Sequence, residues 1–318
     1  MKKIFVLLAI ALITTGCPPH CDDCGDPVKY QVTANIDLST TVKGMLYGNS
    51  KDYYTKTSND TVQLSYLIYD ASGALVSETQ KTLPNFFEKA SFTTGLKKGN
   101  YTIITWACII QNGIADWAPA KKDALNTLTL NAMQISPYAP VLGVSKTSLD
   151  VSKEQTIDIA VPTVGCFFTV LINYPTSTKA KTILCIGDHD NNSYEVGSEN
   201  SFFNTASDDN WVWQFTPNTQ YTGTYTCCFI LPTNLTLFWG TFDANDNLIN
   251  KGQVSFTATA GKHQIITVNT DTGTSTVKSP PAPSVLESNG NPQALEVGKM
   301  KAEPAKISSK IWNSLRNQ

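Results

Sequence analysis

A single arginine, Arg316, stands among the 318 residues, so nearly every positive charge is a lysine. Arginine's planar fork is the usual partner of phosphates and of guanine in the major groove. Its scarcity, with a formal net charge of −2 and no basic cluster in the folded part, argues against nucleic acid as a partner. Charge of either sign is sparse, at 16% of residues against 41% hydrophobic, so the surface leans on Thr, Ser and Asn. Histidine is scarce too, with only His20, His189 and His263. No Ser/His/Asp order, phosphate-cradling glycine loop or acid pair emerges, which points away from an enzyme and its cofactors. Between Tyr30 and Asn269 there is also no sustained helical period with caps.

What is present starts with MKKIFVLLAIALITTGC. Lys2 and Lys3 precede an apolar run, Ile4 to Ile13, that is too short to span a bilayer. Small residues then lead to Gly16-Cys17, which resembles the lipobox of bacterial lipoproteins, with Thr14 where Leu is usual. The expectation is a signal peptide over residues 1–16 and lipidation at Cys17, an ordinary secretory signal being the alternative. More than one acyl chain on that cysteine suffices for stable anchoring, at ~0.8 kcal/mol per buried methylene. Residues 17–27 form an acidic linker in which Asp22, Asp23 and Asp26 resemble the flag of surface-exported lipoproteins of the Bacteroidetes. The expected location is the outer membrane, lipid-anchored and facing outside, with the periplasmic face as the alternative.

Lipidation would leave Cys21, Cys24, Cys108, Cys166, Cys185, Cys227 and Cys228, an odd number, so at least one is free or pairs with another chain. Cys21 and Cys24 have CxxC spacing, but they lie in a Pro-rich linker without a strand before or a helix after, and no second ligand pair for zinc is at hand.

Further along, short runs rich in Val, Ile, Thr, Tyr and Phe alternate with Gly, Asn, Asp and Pro clusters, the pattern of antiparallel strands with one wet face. YDASGALV (Tyr69 to Val76) matches FDANDNLI (Phe242 to Ile249), each reading as a hairpin whose Asp accepts hydrogen bonds from turn amides. Downstream of both comes SFT, a turn with Lys and Gly, then IIT. The repeat predicts two related β-sandwich domains, residues 28–146 and 147–271. In the second copy Val268 stands where the first has Trp106. Within GLKKGNYTIITWACII, alternation places Ile104, Trp106, Cys108 and Ile110 on one apolar face, which points to a core Trp106 rather than a ligand-stacking one. Residues 272–318 read as a flexible tail, with Ile307, Ile311, Trp312 and Leu315 on one face of a short amphipathic helix.

The lipobox, the acidic linker, VQLSYLIYDASGALV and GLKKGNYTIITW together resemble the FimB-type fimbrial anchor and accessory lipoproteins of the Bacteroidetes. Gly99, Tyr101 and Trp106 stand at that family's motif positions. The resemblance implies an all-β chain of two tandem transthyretin-like antiparallel β-sandwich domains. It implies a non-catalytic role in type V fimbriae, as anchor, accessory or tip component acting in assembly and cell adhesion. The implied partners are fimbrial subunits joined by strand addition, the outer membrane through the lipid, and host or bacterial surface ligands. Two departures bear on subunit role: a basic residue often found where the second domain begins is missing near Cys166, and the tail after Asp271 is outside the pattern. Stem subunits of the family are matured by an arginine-specific protease, and no arginine precedes Arg316, which favours a lipid-retaining anchor over a polymerising stem.

Two further patterns carry candidate sites. DHDNNSYEVGSE follows calcium-loop spacing through Asp188, Asp190, Asn192, the Tyr194 carbonyl and Glu199, with Ser193 in place of the turn glycine. A solvated hairpin loop is the alternative. Trp211 and Trp213 share a strand face and Trp239 lies in a later strand; as a platform for sugar rings they would suit a carbohydrate-binding surface lipoprotein of a polysaccharide-uptake system. Core packing is the alternative there. DTV at Asp60 to Val62 resembles the O-glycosylation sequon of the phylum.

Overall fold

The computed structural model describes residues 27–42, 61–111, 113–133, 141–187, 193–202, 212–217, 223–279, 297–298, 303–304 and 315. The expected signal peptide, the expected acidic linker up to residue 26 and most of the expected tail lie outside these. The β-branched and aromatic runs form strands. In the first unit these are β1 (Lys29–Asp37), β2 (Thr61–Asp70), β3 (Leu75–Leu83), β4 (Ala90–Lys97), β5 (Gly99–Gln111), β6 (Ile114–Ala115), β7 (Trp117–Ala120), β8 (Thr129–Ala132), β9 (Leu142–Val151) and β10 (Gln155–Ala160). One sheet has the order β10-β1-β4, with β10 parallel to β1. The other runs β3-β2-β5-β9, antiparallel throughout.

In the second unit the strands are β11 (Cys166–Asn173), β12 (Thr182–Gly187), β13 (Ser193–Glu195), β14 (Asn200–Phe202), β15 (Val212–Phe215), β16 (Gly223–Ile230), β17 (Thr233–Phe242), β18 (Leu248–Ala258), β19 (His263–Asn269) and β20 (Thr274–Lys278). Its sheets carry the orders β19-β11-β16 and β18-β17-β12-β15, with β19 parallel to β11. Strand by strand this is the plan of the first unit: β11 takes the place of β1, β12 of β2, β15 of β3, β16 of β4, β17 of β5, β18 of β9 and β19 of β10. The expected all-β class of two tandem sandwiches therefore holds, with a common plan of a three-stranded sheet against a four-stranded one to which the second unit adds further edge strands.

The sequence repeat that pointed to this duplication joins strands that are not equivalent. The Tyr69–Val76 turn links β2 to β3, whereas the Phe242–Ile249 turn links β17 to β18, the counterparts of β5 and β9. Ser91–Thr93 lies in β4 but Ser255–Thr257 in β18, and the two IIT runs lie in β5 and β19. What the two hairpins share is turn chemistry. Asp70 Oδ1 accepts from the Ser72 amide at 2.9 Å, the Ser72 hydroxyl at 2.6 Å and the Ala74 amide at 3.0 Å. Asp243 Oδ1 accepts from the Asn245 and Asn247 amides at 2.8 and 2.9 Å. Gly73 and Asp246 supply the left-handed residue, with φ of +82° and +59°, and the ladder slips by one residue at Ile68/Tyr69 and at Thr241/Phe242.

Both carboxylates are held below the usual range, Asp70 chiefly by the Ser72 hydroxyl and Asp243 chiefly by the Asn247 amide side chain. A depressed folded value means stability that is complete above the unfolded value, near 3.9, and is lost as pH falls through the folded one. In urea melts from pH 5 down to pH 2, wild type should therefore lose more stability than an Asp70→Asn/Asp243→Asn double variant. Parallel acid limbs would refute this.

The expected domain break between Lys146 and Thr147 falls inside β9, whose register with β5 runs unbroken from Gly99 opposite Val151 to Cys108 opposite Leu142. Leu142, Val144, Leu149 and Val151 are buried, which makes β9 an integral strand of the first sandwich, and β10 carries that unit on to Ala160. A further four-stranded sheet, β14-β13-β8-β7, ties the units together. Its β13–β14 hairpin springs from the second unit between β12 and β15 and pairs with β8 of the first, Tyr194 standing opposite Leu130. Ser193 donates to Asn131 Oδ1 at 2.8 Å, the Val196 amide donates to the Leu128 carbonyl at 3.0 Å, and Tyr194 and Val196 join the first unit's core.

The tail begins later than Thr272. β20 extends the second unit's smaller sheet beyond β19, from Ile265 opposite Lys278 to Asn269 opposite Thr274. Two-residue strands β21 (Val297–Gly298) and β22 (Glu303–Pro304) then pair with β16 and β15. Of the expected helix only Leu315 is described, as a helical, buried residue. It sits over Gly240, where an added Cβ would lie 2.4 Å from Leu315 Cδ2.

Candidate functional site

The motif Gly99, Tyr101 and Trp106 lies where the chain leaves β4 in one sheet and enters β5 in the facing one. Gly99 has φ +155°, which side-chain-bearing residues rarely adopt. The Tyr101 ring lies over it, Cε2 being 3.7 Å from where a Cβ on residue 99 would stand. The Tyr101 hydroxyl donates back to the Lys97 carbonyl at 3.1 Å. The arrangement follows the logic of a tyrosine corner, a phenol clamping the backbone just upstream. Tyr101→Phe should cost about 0.5–1.5 kcal/mol, a neutral hydrogen bond, and Gly99→Ala roughly 1–3 kcal/mol, a strained backbone. Both are measurable as shifts in urea midpoint at constant slope; a midpoint unmoved by Gly99→Ala would show the corner to be unstrained.

Trp106 is fully buried, as expected, but not between the two sandwich sheets. Tyr66 on β2 stacks on Phe92 of β4, ring centroids 4.9 Å apart, so that face of the sheet looks at β1 and β4. The other face carries Tyr69, whose hydroxyl donates to the Lys122 carbonyl at 2.8 Å, and Cys108, whose thiol lies 3.8 Å from the Trp117 carbonyl on β7. Trp106 shares the Cys108 side by alternation and packs beneath the β7–β8 layer. The sheet is thus buried on both faces, which a period-two reading of β5 alone could not reveal.

Cys108, Cys166 and Cys185 are free, buried thiols. Burial pushes Cys108 up to about 12, Cys166 to about 11 and Cys185 higher still. They carry little thiolate and act as small apolar side chains.

Of the calcium pattern, Asp188, Asp190 and Asn192 lie outside the described residues. Tyr194 sits between two ladder partners, Leu130 on β8 and Ser201 on β14, with its phenol raised to about 12 by burial. Glu199 occupies the β13–β14 turn at φ +57°. The flanks are strands. Among the described residues no three His, Cys, Asp or Glu side chains gather as a metal site.

The aromatic platform is likewise not assembled. Trp239 is fully buried in the second unit's core, and Nε1 donates to Ser275 Oγ at 2.9 Å, so its ring is closed to any sugar. Trp211 lies outside the described residues. Trp213 is placed by its backbone only, in β15 between Cys185 and Pro304.

A site that sequence reading missed opens between the two units. It is a cleft of about 1040 Å³, floored by the start of β5 and by β9 and walled by the Asp70–Gly73 turn, Leu125–Asn126 and the Glu195–Ser198 turn. The cross-strand pairs Asn100–Asp150 and Thr102–Ser148 set the floor, and Lys146 continues it, donating to the Gly197 carbonyl at 2.9 Å. These residues share the face that buries Ile104, Trp106 and Cys108 further along, so the sheet turns from apolar to polar where the covering layer ends. Only the dense Asn, Ser, Asp and Lys at the ends of β5 and β9 hint at it in the sequence.

The geometry defines an all-β chain of two sandwiches built on a common seven-stranded plan and cross-linked by an inserted hairpin. No family model matches it, and no curated protein matches it. Among solved structures it is similar to a candidate adhesin from Bacteroides thetaiotaomicron, at a TM-score of 0.50 and 13% identity over 82% of this chain and 98% of that one. It is also similar, below 0.5, to two Porphyromonas gingivalis proteins. The tip fimbrial protein Mfa3 with C-terminal truncation gives a TM-score of 0.45 at 10% identity, covering 79% of this chain and 98% of that one. The fimbrial anchor protein Mfa2 gives 0.42 at 12% identity, covering 75% and 90%. At these identities the likeness speaks to fold alone.

Proposed function

We propose that the chain is a surface-anchored, non-catalytic fimbrial subunit, held in the outer membrane through Cys17 and acting in fimbrial assembly and adhesion. The observation that carries the proposal is the tandem β-sandwich fold, similar to that of the candidate adhesin, in a chain whose lipobox and Gly99, Tyr101 and Trp106 resemble those of the fimbrial lipoproteins. Sheet edges are the natural contact of such units, since main-chain hydrogen bonds give strength and side-chain pockets give register. Strands β21 and β22 already add to the second unit's edges in this manner. Without an arginine before Arg316, the role is that of an anchor or accessory component rather than a stem.

The test is a pull-down of tagged protein from native outer membrane, read by mass spectrometry, with immunogold labelling of whole cells. Co-purification of other sheet-rich lipoproteins, and gold on filaments or at their bases, are the expected results. Capture of polysaccharide-uptake proteins, with gold scattered away from filaments, would sink the fimbrial role.

A further inference from the structure

We propose that the cleft between the two units binds a neutral oligosaccharide. The proposal stands apart from the fimbrial reading, resting on the cleft alone. Ligand clefts favour domain interfaces, and their volumes run to about 1,000 Å³. At about 1040 Å³ this one suits a short chain of sugar rings rather than a single small molecule.

The lining decides the chemical class. Asn100, Asp150, Thr102 and Ser148 form a flat floor of amide, carboxylate and hydroxyl groups in two adjacent cross-strand pairs. Cross-strand neighbours on one face stand about 5 Å apart, so successive donors and acceptors meet a flat polyhydroxylated ligand along its length. Asn100, Ser148 and Asp150 are exposed to solvent. Half-buried Leu125 adds apolar surface for the C–H faces of the rings.

An anionic ligand fits poorly. Asp70, Asp150 and Glu195 outnumber Lys146, whose ammonium is already turned onto the Gly197 carbonyl. For a basic peptide the cleft offers few ion pairs, because two of the acids already accept hydrogen bonds at home. Asp70 Oδ1 serves its own turn, and Glu195 accepts from the Ser198 hydroxyl. A row of amide, carboxylate and hydroxyl groups along an open cleft is what a neutral glycan requires.

The floor is also rigid, being strand backbone in unbroken register, and the Glu195–Ser198 wall is held by the hairpin inserted from the second unit. Both units thus contribute, and the site exists only when the hairpin is docked.

The experiment uses the full chain, purified in detergent, on an array of neutral oligosaccharides of three or more residues built on glucose, mannose, galactose and xylose. Sialylated and sulfated glycans, and a lysine-rich peptide, are printed alongside. Binding to at least one neutral oligosaccharide is expected, with its affinity, measured by titration calorimetry, falling at least tenfold in Asn100→Ala and in Asp150→Ala. Unchanged melting temperatures would show that those exposed substitutions leave the fold intact. Lys278→Ala, on β20 and far from the cleft in sequence, should bind as wild type. The proposal is overturned by silence across the neutral glycans, by capture of only anionic glycans or the peptide, or by binding that both cleft variants leave intact. Each of those results leaves the pull-down of fimbrial partners to stand or fall separately.

Discussion

Trp239→Ala should lower the stability of the second unit by about 3–5 kcal/mol, the range for a large aromatic removed from a packed core. The indole is fully buried among the residues of the second core, which also holds Phe168, Phe215 and Phe256, and is tied to β20 through Ser275. Its fit is set by Gly252, its partner on β18. A Cβ there would meet the Trp239 ring at 2.5 and 2.7 Å and the Gly273 carbonyl oxygen at 2.9 Å. Gly252 therefore leaves the hole that the indole fills, and neither the buried ring nor the backbone of the Gly273 turn can step aside. Gly252→Ala should consequently cost about 1–3 kcal/mol by overpacking, in the same direction as the cavity. Trp239→Phe, which keeps most of the volume, should cost less than Trp239→Ala. Chemical denaturation followed by tryptophan fluorescence and far-ultraviolet circular dichroism checks all three. A Trp239→Ala protein as stable as wild type, with weakened glycan binding, would return this side chain to the role of a sugar platform and show the core packing to be wrong.

Much of this architecture was legible in the sequence, and the misses have physical causes. The long strands declared themselves because β2, β5, β11 and β17 are apolar, β-branched or aromatic over most of their length. β9 did not, since LGVSKTSLDV dilutes its buried residues with exposed Lys146, Ser148 and Asp150. Those same polar residues line the cleft, so strand and site were missed together. β13 and β14 have three residues each, too few for a period to register, and their pairing with β8 joins Ser193 to Asn131 across 62 positions of sequence. The inward side of Trp239 was hidden too. β17 is buried on both faces near its end, through Trp239 and Thr241 on one side and Phe238 and Phe242 on the other, so no alternation marks the core.

The repeat suggested the right architecture through a pair of turns that occupy different places in the two units. Asp at the first turn position is favoured wherever a short hairpin needs its amides capped, and a left-handed residue follows wherever the ladder slips by one. Local chemistry recurs at any hairpin of that geometry, so it marks turn type and not ancestry. The firmer sign of duplication is the order of pairing, with β1 flanked by β4 and parallel β10 just as β11 is flanked by β16 and parallel β19.

Under the proposed anchoring, Cys17→Ser should release the protein from the membrane almost completely. The apolar run Ile4 to Ile13 is too short to hold it there, and among the described residues no helix is long and apolar enough to cross a bilayer. In the proposed anchoring, attachment depends on the acyl chains at residue 17. One such chain binds only marginally, with an association constant of about 10⁴ M⁻¹, whereas two or more give stable anchoring at ~0.8 kcal/mol per methylene. Their joint loss should shift the partition by several orders of magnitude, far beyond any effect of a surface substitution. Fractionation after high-salt and alkaline washes should find wild type in the membrane pellet and Cys17→Ser in the soluble fraction. Cys21→Ser and Cys24→Ser should fractionate as wild type, which separates the lipid from a role of the neighbouring thiols. Mass spectrometry of the native N-terminal peptide should show an acylated cysteine. A Cys17→Ser protein that stays in the washed pellet would mean that strand addition to other membrane-bound subunits, not lipid, is what holds the chain at the surface.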